Sequence, residues 1–170
     1  MELWDIYDIN KNKTGKVIDR NSNERLKDGE YHLVVAAIII DSKERILLSK
    51  RSKFKQKYPL MWECSGGACI SKETSLEAIL RELKEELGLN FKKTEAIFYK
   101  TIRDDIAKDF KDLWIFRKNV EINDLEFTDN EVIDAKWVTI EEFEIMVQNK
   151  EIVPTIDFTK EDYEKCLYRS

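Results

Sequence analysis

An α+β or α/β sandwich, a sheet packed with helices, is the fold this sequence predicts. Three observations lead there. Stretches rich in Val, Ile and aromatic residues alternate with helical patterns along the chain. The run from Tyr31 to Ile40 is apolar almost without a break, as expected of a central strand buried on both faces. The segment Thr74–Leu87 spaces Leu76, Ile79, Leu80, Leu83 and Leu87 by three and four, which aligns them along one side of a helix.

Taken in order, Leu3–Ile9 mixes apolar and polar residues, and the turn-rich Asn10–Gly15 leads to Lys16-Val17-Ile18. That is a hairpin occupying about residues 1–20. Asn21–Glu30 is polar and reads as a loop or short irregular helix. After the Tyr31–Ile40 strand, a turn at Asp41–Glu44 returns the chain into a partner strand, Arg45–Ser49. A basic loop ends at Tyr58-Pro59, and a short strand runs from Trp62 to Ser65. Thr74 with Glu77 three residues on forms a capping box for the helix, and Gly88 is its stop. Phe91–Arg103, Leu113–Val120 and Val132–Val138 read as strands, and Glu141–Gln148 and Phe158–Tyr168 as helices.

A chain of 170 residues fits one domain, residues 1–170, with room for a core without disulfides. The 42% hydrophobic content, with 5 Gly and 2 Pro, predicts order throughout. A net charge of −5 supplies no basic field for a nucleic-acid polymer. The longest apolar run, Leu33–Ile40, is too short to span a bilayer, and Met1–Asp5 lacks the apolar core of a secretory signal. Cys64, Cys69 and Cys166 form no Cys-x-x-Cys pair and read as reduced thiols in a cytoplasmic protein.

The chemistry concentrates at the end of the predicted helix. At ~100° per residue, Glu82, Glu85 and Glu86 gather within about one turn of each other on a face distinct from the leucines. Glu85 and Glu86 also sit in the last turn, where the helix dipole disfavours acids. A solvated acidic face is the ordinary meaning of such a run. Repulsion among three carboxylates, compounded by the dipole, points instead to a hard divalent cation such as Mg²⁺ or Mn²⁺.

From Gly67 to Leu89 the spacing is a glycine, five residues, a glutamate, seven residues, then Arg-Glu-hydrophobic-x-Glu-Glu-x-Gly-hydrophobic. Gly67, Glu73, Arg81, Glu82, Leu83, Glu85, Glu86, Gly88 and Leu89 fill it without departure. This segment resembles the signature of the Nudix hydrolase family. The resemblance implies a mixed β-sheet between helices and metal-dependent hydrolysis of a diphosphate linkage. The substrate class it implies is a small-molecule nucleoside diphosphate derivative or related organic diphosphate. By the same resemblance Glu82, Glu85 and Glu86 ligate Mg²⁺ or Mn²⁺, and Glu82 is a candidate to orient or deprotonate water. Arg81 and Glu73 position the carboxylates, and the Gly66 carbonyl is a further candidate ligand. A carboxylate outside the signature often completes such sites. Glu131, six positions before Trp137, is the candidate here, with Asp124 and Glu126 weaker. Self-association as a homodimer is compatible with the family, and no sequence feature establishes it.

Arg51, Lys55, Pro59 and Trp62 are similar in arrangement to residues of the isopentenyl diphosphate isomerase branch of the same fold, in which the Arg and Lys hold diphosphate. Arg51 and Lys55 are therefore candidate substrate-binding residues. Isomerase-like activity is the rival this raises. The place of that branch's cysteine, five residues after the Trp, holds Gly67, and His32, the one histidine, reads as a strand residue. A non-catalytic nucleotide sensor is a second alternative, against which stands the full set of signature carboxylates. Subfamily markers for any particular diphosphate are missing, and Phe98, Tyr99, Trp114 and Phe116 read as core before base-stacking residues.

Overall fold

The structure, a computed structural model, describes residues 2–128 and 130–169. Leu3–Tyr7 (β1) and Lys13–Asp19 (β2) form an antiparallel hairpin. A second, mixed sheet holds His32–Ile40 (β3), Ile46–Arg51 (β4), Trp62–Glu63 (β5), Gly66–Ala68 (β6), Ile97–Asp104 (β7), Asp109–Arg117 (β8) and Val132–Val138 (β9). Its strand order is β5-β4-β3-β8-β7, with β6 paired to β3 and β9 to β4. The helices are Ser75–Leu87 (α1), Ile140–Gln148 (α2) and Lys160–Leu167 (α3).

The centre is β3 against β8, paired in parallel over nine residues from His32↔Asp109 to Ile40↔Arg117. Alternation along β3 divides the core in two. Leu33, Val35, Ala37 and Ile39 pack with Ala78, Ile79, Leu83 and Leu87 of α1. Ala36, Ile38 and Ile40 pack on the opposite face with Phe143 and Met146 of α2 and Tyr163 and Cys166 of α3. A strand covered by helices on both faces needs apolar residues at every position, which explains the unbroken run. The mixed sheet between helices is the architecture expected from the sequence.

Helix α1 begins where predicted. Thr74 is the N-cap, its hydroxyl accepts from the Glu77 N–H, Glu77 reciprocates, and Gly88 closes the helix at φ 69°. Several boundaries differ, three of them for a visible physical reason. Phe91–Ala96 is no strand: Lys93–Glu95 forms a 3-10 turn, and Phe91 instead packs its ring on Phe116 at 4.5 Å. β8 starts four residues before Leu113, because Asp109–Asp112 pairs with β3 and buried Asp112 is met by Lys11 and Thr101. The hairpin turns at Lys11 (φ 64°), earlier than expected, and Gly15 (φ 85°) lies inside β2. Among the described residues no helix is long and apolar enough to cross a membrane. The three cysteines are free and buried.

The C-terminal helix is held to β7 by one carboxylate. Asp162 accepts from the Tyr99 hydroxyl at 2.7 Å, Lys100 Nζ at 2.9 Å, and the Thr159 N–H and hydroxyl at 3.0 Å each. Burial raises its pKa, but these donors outweigh burial and hold it at about 2. A carboxyl depressed in the folded state stabilises fully above its unfolded pKa, near 3.8, and loses that contribution as pH falls through about 2. Replacing Asp162 with Asn is expected to cost about 2 kcal/mol at neutral pH and to flatten the loss of stability between pH 4 and 2, as read by urea denaturation across that range.

Candidate active site

Strand β6 and the start of α1 meet over the edge of β3, and the segment joining them carries the site. Gly66 is present because nothing larger fits: a Cβ there would lie 2.0 Å from the Val35 carbonyl oxygen and 2.8 Å from Ala36 Cα. Gly67 faces the helix, and a Cβ on it would fall 2.4 Å from a Glu82 carboxylate oxygen. The two glycines thus let β6 lie on β3 and let the Glu82 carboxylate lie on β6.

Arg81 ties helix to loop. Its Nε and Nη2 donate to the two oxygens of Glu73 at 2.7 and 3.0 Å, and Nη2 donates to the Ala68 carbonyl at 3.0 Å. Its Nη1 donates to both Glu82 (2.7 Å) and Glu85 (3.0 Å). Glu73 also accepts from the Ile70 N–H at 3.1 Å, which closes the loop before the helix. Burial raises the pKa of Glu82, and the Arg81 charge partly offsets the rise.

The three glutamates expected to gather occupy three environments instead. Glu82 is largely covered, at 13% side-chain exposure, whereas Glu85 is open at 51%. Glu86 is 1% exposed, and its Oε2 accepts the Gly66 N–H at 3.1 Å. The helix sets this division. Leu83 and Leu87 are driven into the core, and Glu86, between them in sequence, turns under β6 while Glu82 and Glu85 flank the loop. Among the described residues no three acidic, histidine or cysteine side chains converge as a finished metal cage.

Glu82, Glu85, Arg81, Gly66 and Gly67 line one cavity of about 640 Å³, and Lys55 and Glu131 stand on its wall as an ion pair. Glu131 is held there by its own carbonyl, which accepts the Ser52 N–H at 2.8 Å. Arg51 does not line this cavity. Its Nη1 is bound to both Glu63 oxygens at 2.7 and 2.8 Å, and its Nε and Nη2 donate to the Lys57 carbonyl. The basic loop therefore delivers Lys55 to the site and spends Arg51 on holding its own shape. Glu126 is placed beside Gly88, away from the cavity. Glu2, Leu3, Arg20 and Lys72 also stand on the wall. Sequence reading missed these four: the hairpin, which brings Glu2, Leu3 and Arg20, gives no local sign of where it docks, and Lys72 lies on the loop that receives it.

A family model described as the NUDIX domain matches residues 30–156. The chain belongs to the Nudix hydrolase family. An uncharacterised Nudix hydrolase of Listeria monocytogenes is 37% identical over 157 residues, covering 91% of this chain and 89% of its own length. The 8-oxo-dGTP diphosphatase of Proteus vulgaris is 32% identical over a shorter stretch of 79 residues, 46% of this chain and 64% of that one. In fold, the crystal structure of a Deinococcus radiodurans protein superimposes with a TM-score of 0.76 at 20% identity, covering 99% of this chain and 100% of that one. As a Nudix enzyme the chain is a pyrophosphohydrolase.

The two adjacent glycines separate fold from site. Gly66→Ala meets backbone and is expected to destabilise by about 3 kcal/mol. Gly67→Ala meets only the movable end of Glu82 and should cost about 1 kcal/mol or less. Chemical denaturation of both variants checks the difference.

Proposed function

We propose that this chain hydrolyses a diphosphate linkage in a nucleoside diphosphate derivative or related organic diphosphate, with Mg²⁺ or Mn²⁺ as cofactor, in the cytoplasm. The observation that carries this reading is the pair Glu82 and Glu85 held by one Arg81 nitrogen on the wall of a cavity large enough for a nucleotide. The buried reduced cysteines fit a reducing compartment. One domain, 1–170, carries the whole activity.

The donor set suits a hard cation. Glu82, Glu85 and the Gly66 carbonyl offer only oxygen, with Glu131 across the cavity and Glu86 behind Gly66. An incomplete protein cage fits Mg²⁺, which is commonly held by one or two carboxylates plus substrate phosphates. The chemistry supplied by a bound divalent cation is charge neutralisation on phosphate and a lowered pKa for water. Lys55 adds a positive charge for the same phosphates. Glu82, covered and with its proton affinity raised, takes the proton from the attacking water. The water oxygen bonds to phosphorus as the bridging P–O bond breaks, and the released phosphate group leaves with that bond's electrons. Arg81 keeps both carboxylates in place and neutralises part of their charge. Glu73 keeps Arg81 in place.

Glu85→Gln and Glu82→Gln should each lower kcat by about 10²- to 10⁴-fold while leaving the melting temperature near that of the parent. A phosphate-release assay over nucleotide sugars, dinucleotides and nucleoside triphosphates, with Mg²⁺ or Mn²⁺ and then with chelator, measures it. Full turnover by either variant, or turnover undiminished by chelation, rules the reading out.

A further inference from the structure

The hairpin β1–β2 lies outside the stretch that the family model matches, yet it forms one side of the hydrolytic cavity through Glu2, Leu3 and Arg20. Its docking is specific. The Ser71 N–H donates to the Leu3 carbonyl at 2.6 Å, the Ser71 hydroxyl to Asp5 at 2.6 Å, and the Lys72 N–H to Asp5 at 3.1 Å. These bonds join the hairpin to the very loop that leads into α1, and they bring Lys72 and Arg20 to the same wall.

Arg20 is held but not used up. Its Nη1 binds both Glu2 oxygens, at 3.0 and 2.9 Å, and its guanidinium lies 5.8 Å from the centre of the Trp4 ring. Trp4 donates its indole N–H to Glu2 at 3.1 Å and stacks its other face on His32 at 4.2 Å. With both faces occupied, Trp4 is a support for Arg20 and offers no platform to a base. The Nε and Nη2 of Arg20 and the exposed ammonium of Lys72 have no acceptor among the described residues. The other two cations on the wall, Arg81 and Lys55, are engaged with Glu73, Glu82, Glu85 and Glu131. The hairpin and the loop it docks on thus hold the cations with donors to spare at the cavity: Lys72, and Arg20, which is ion-paired to Glu2 through Nη1 with Nε and Nη2 left over.

We propose that Arg20 and Lys72 form an anion-recognising wall that selects substrates carrying a second charged group, a terminal phosphate or a carboxylate, beyond the diphosphate that is cleaved. This rests on the hydrolase reading above and adds a substrate class to it. The test uses the full chain, wild type and the double variant Arg20→Gln/Lys72→Gln, which keeps the aliphatic stems. Binding of methylene-bridged, non-hydrolysable analogues of a nucleoside triphosphate and of a nucleoside diphosphate hexose is measured by calorimetry with Mg²⁺ present, and turnover of the parent compounds alongside. The double variant should weaken binding of the triphosphate analogue by about 10- to 100-fold. Binding of the hexose analogue should stay within about threefold. KM for the triphosphate rises correspondingly and kcat holds. Equal loss for both analogues, no loss for either, or a wild type that binds neither overturns the wall. A wild type that shows the selective binding yet cleaves neither parent compound leaves the wall standing and removes the hydrolase reading.

Discussion

Every N–H of the Arg81 guanidinium ends on an oxygen, and those oxygens belong to three parts of the chain: the Ala68 carbonyl on β6, Glu73 in the loop, and Glu82 and Glu85 on α1. Without that tie, two carboxylates near the C-terminal end of a helix would face each other and the negative end of the dipole. With it, Glu82 can be covered and still sit on a cavity wall. A planar fork does this where an ammonium could not, since it reaches several acceptors in fixed directions at once. The burial of Glu82, the approach of β6 and the closure of the loop by Glu73 all follow from one side chain.

How much of this was legible follows from the range of each interaction. Helix α1 was readable to its cap because its signals are local: Leu83 and Leu87 repeat at helical spacing, Thr74 and Glu77 are three apart, and Gly88 adopts the positive φ expected of a stop. β3 was readable because burial on both faces leaves an unbroken apolar run. β8 was misplaced by four residues because Asp109–Asp112 looks polar, and only pairing with β3, 77 residues away in the register His32↔Asp109, makes it a strand. The spacing that aligned Glu82, Glu85 and Glu86 could not say which would turn inward. That is decided by the docking of Leu83 and Leu87 on the sheet, which takes Glu86 under β6. Arg51 and Lys55 look equivalent in sequence, and the partner Glu63, twelve residues on, separates them.

The electrostatics of the cavity divide into committed and uncommitted charge. Arg81 and Lys55 are matched to carboxylates, so a polyanion approaching them competes with Glu73, Glu82, Glu85 and Glu131. Such a site admits phosphate only if extra positive charge arrives with it, which is the physical reason an acidic wall and a diphosphate substrate together call for a divalent cation. Surface cations at the mouth act differently. Screened and half-exposed, they add little to stability, and on the reading proposed above they bear on which anion enters.

That division separates chemistry from choice. The glycines, Arg81 and the glutamates lie on β6 and α1, where Gly66 meets the Val35 backbone and Gly67 meets Glu82, so a change in either moves the acidic groups of the cavity. The hairpin is anchored elsewhere, by Tyr7 in the core and Lys11 on buried Asp112, and its cavity-facing residues Glu2 and Arg20 carry no such constraint. It is also held to the loop by Asp5, Ser71 and Leu3, and Arg20, exposed at its end, makes no hydrogen bond to Glu82 among the described residues. With the hairpin wall selecting the anion as proposed, the distal half of the substrate can change at the cost of a few exposed side chains, and a signature confined to β6 and α1 carries no record of it.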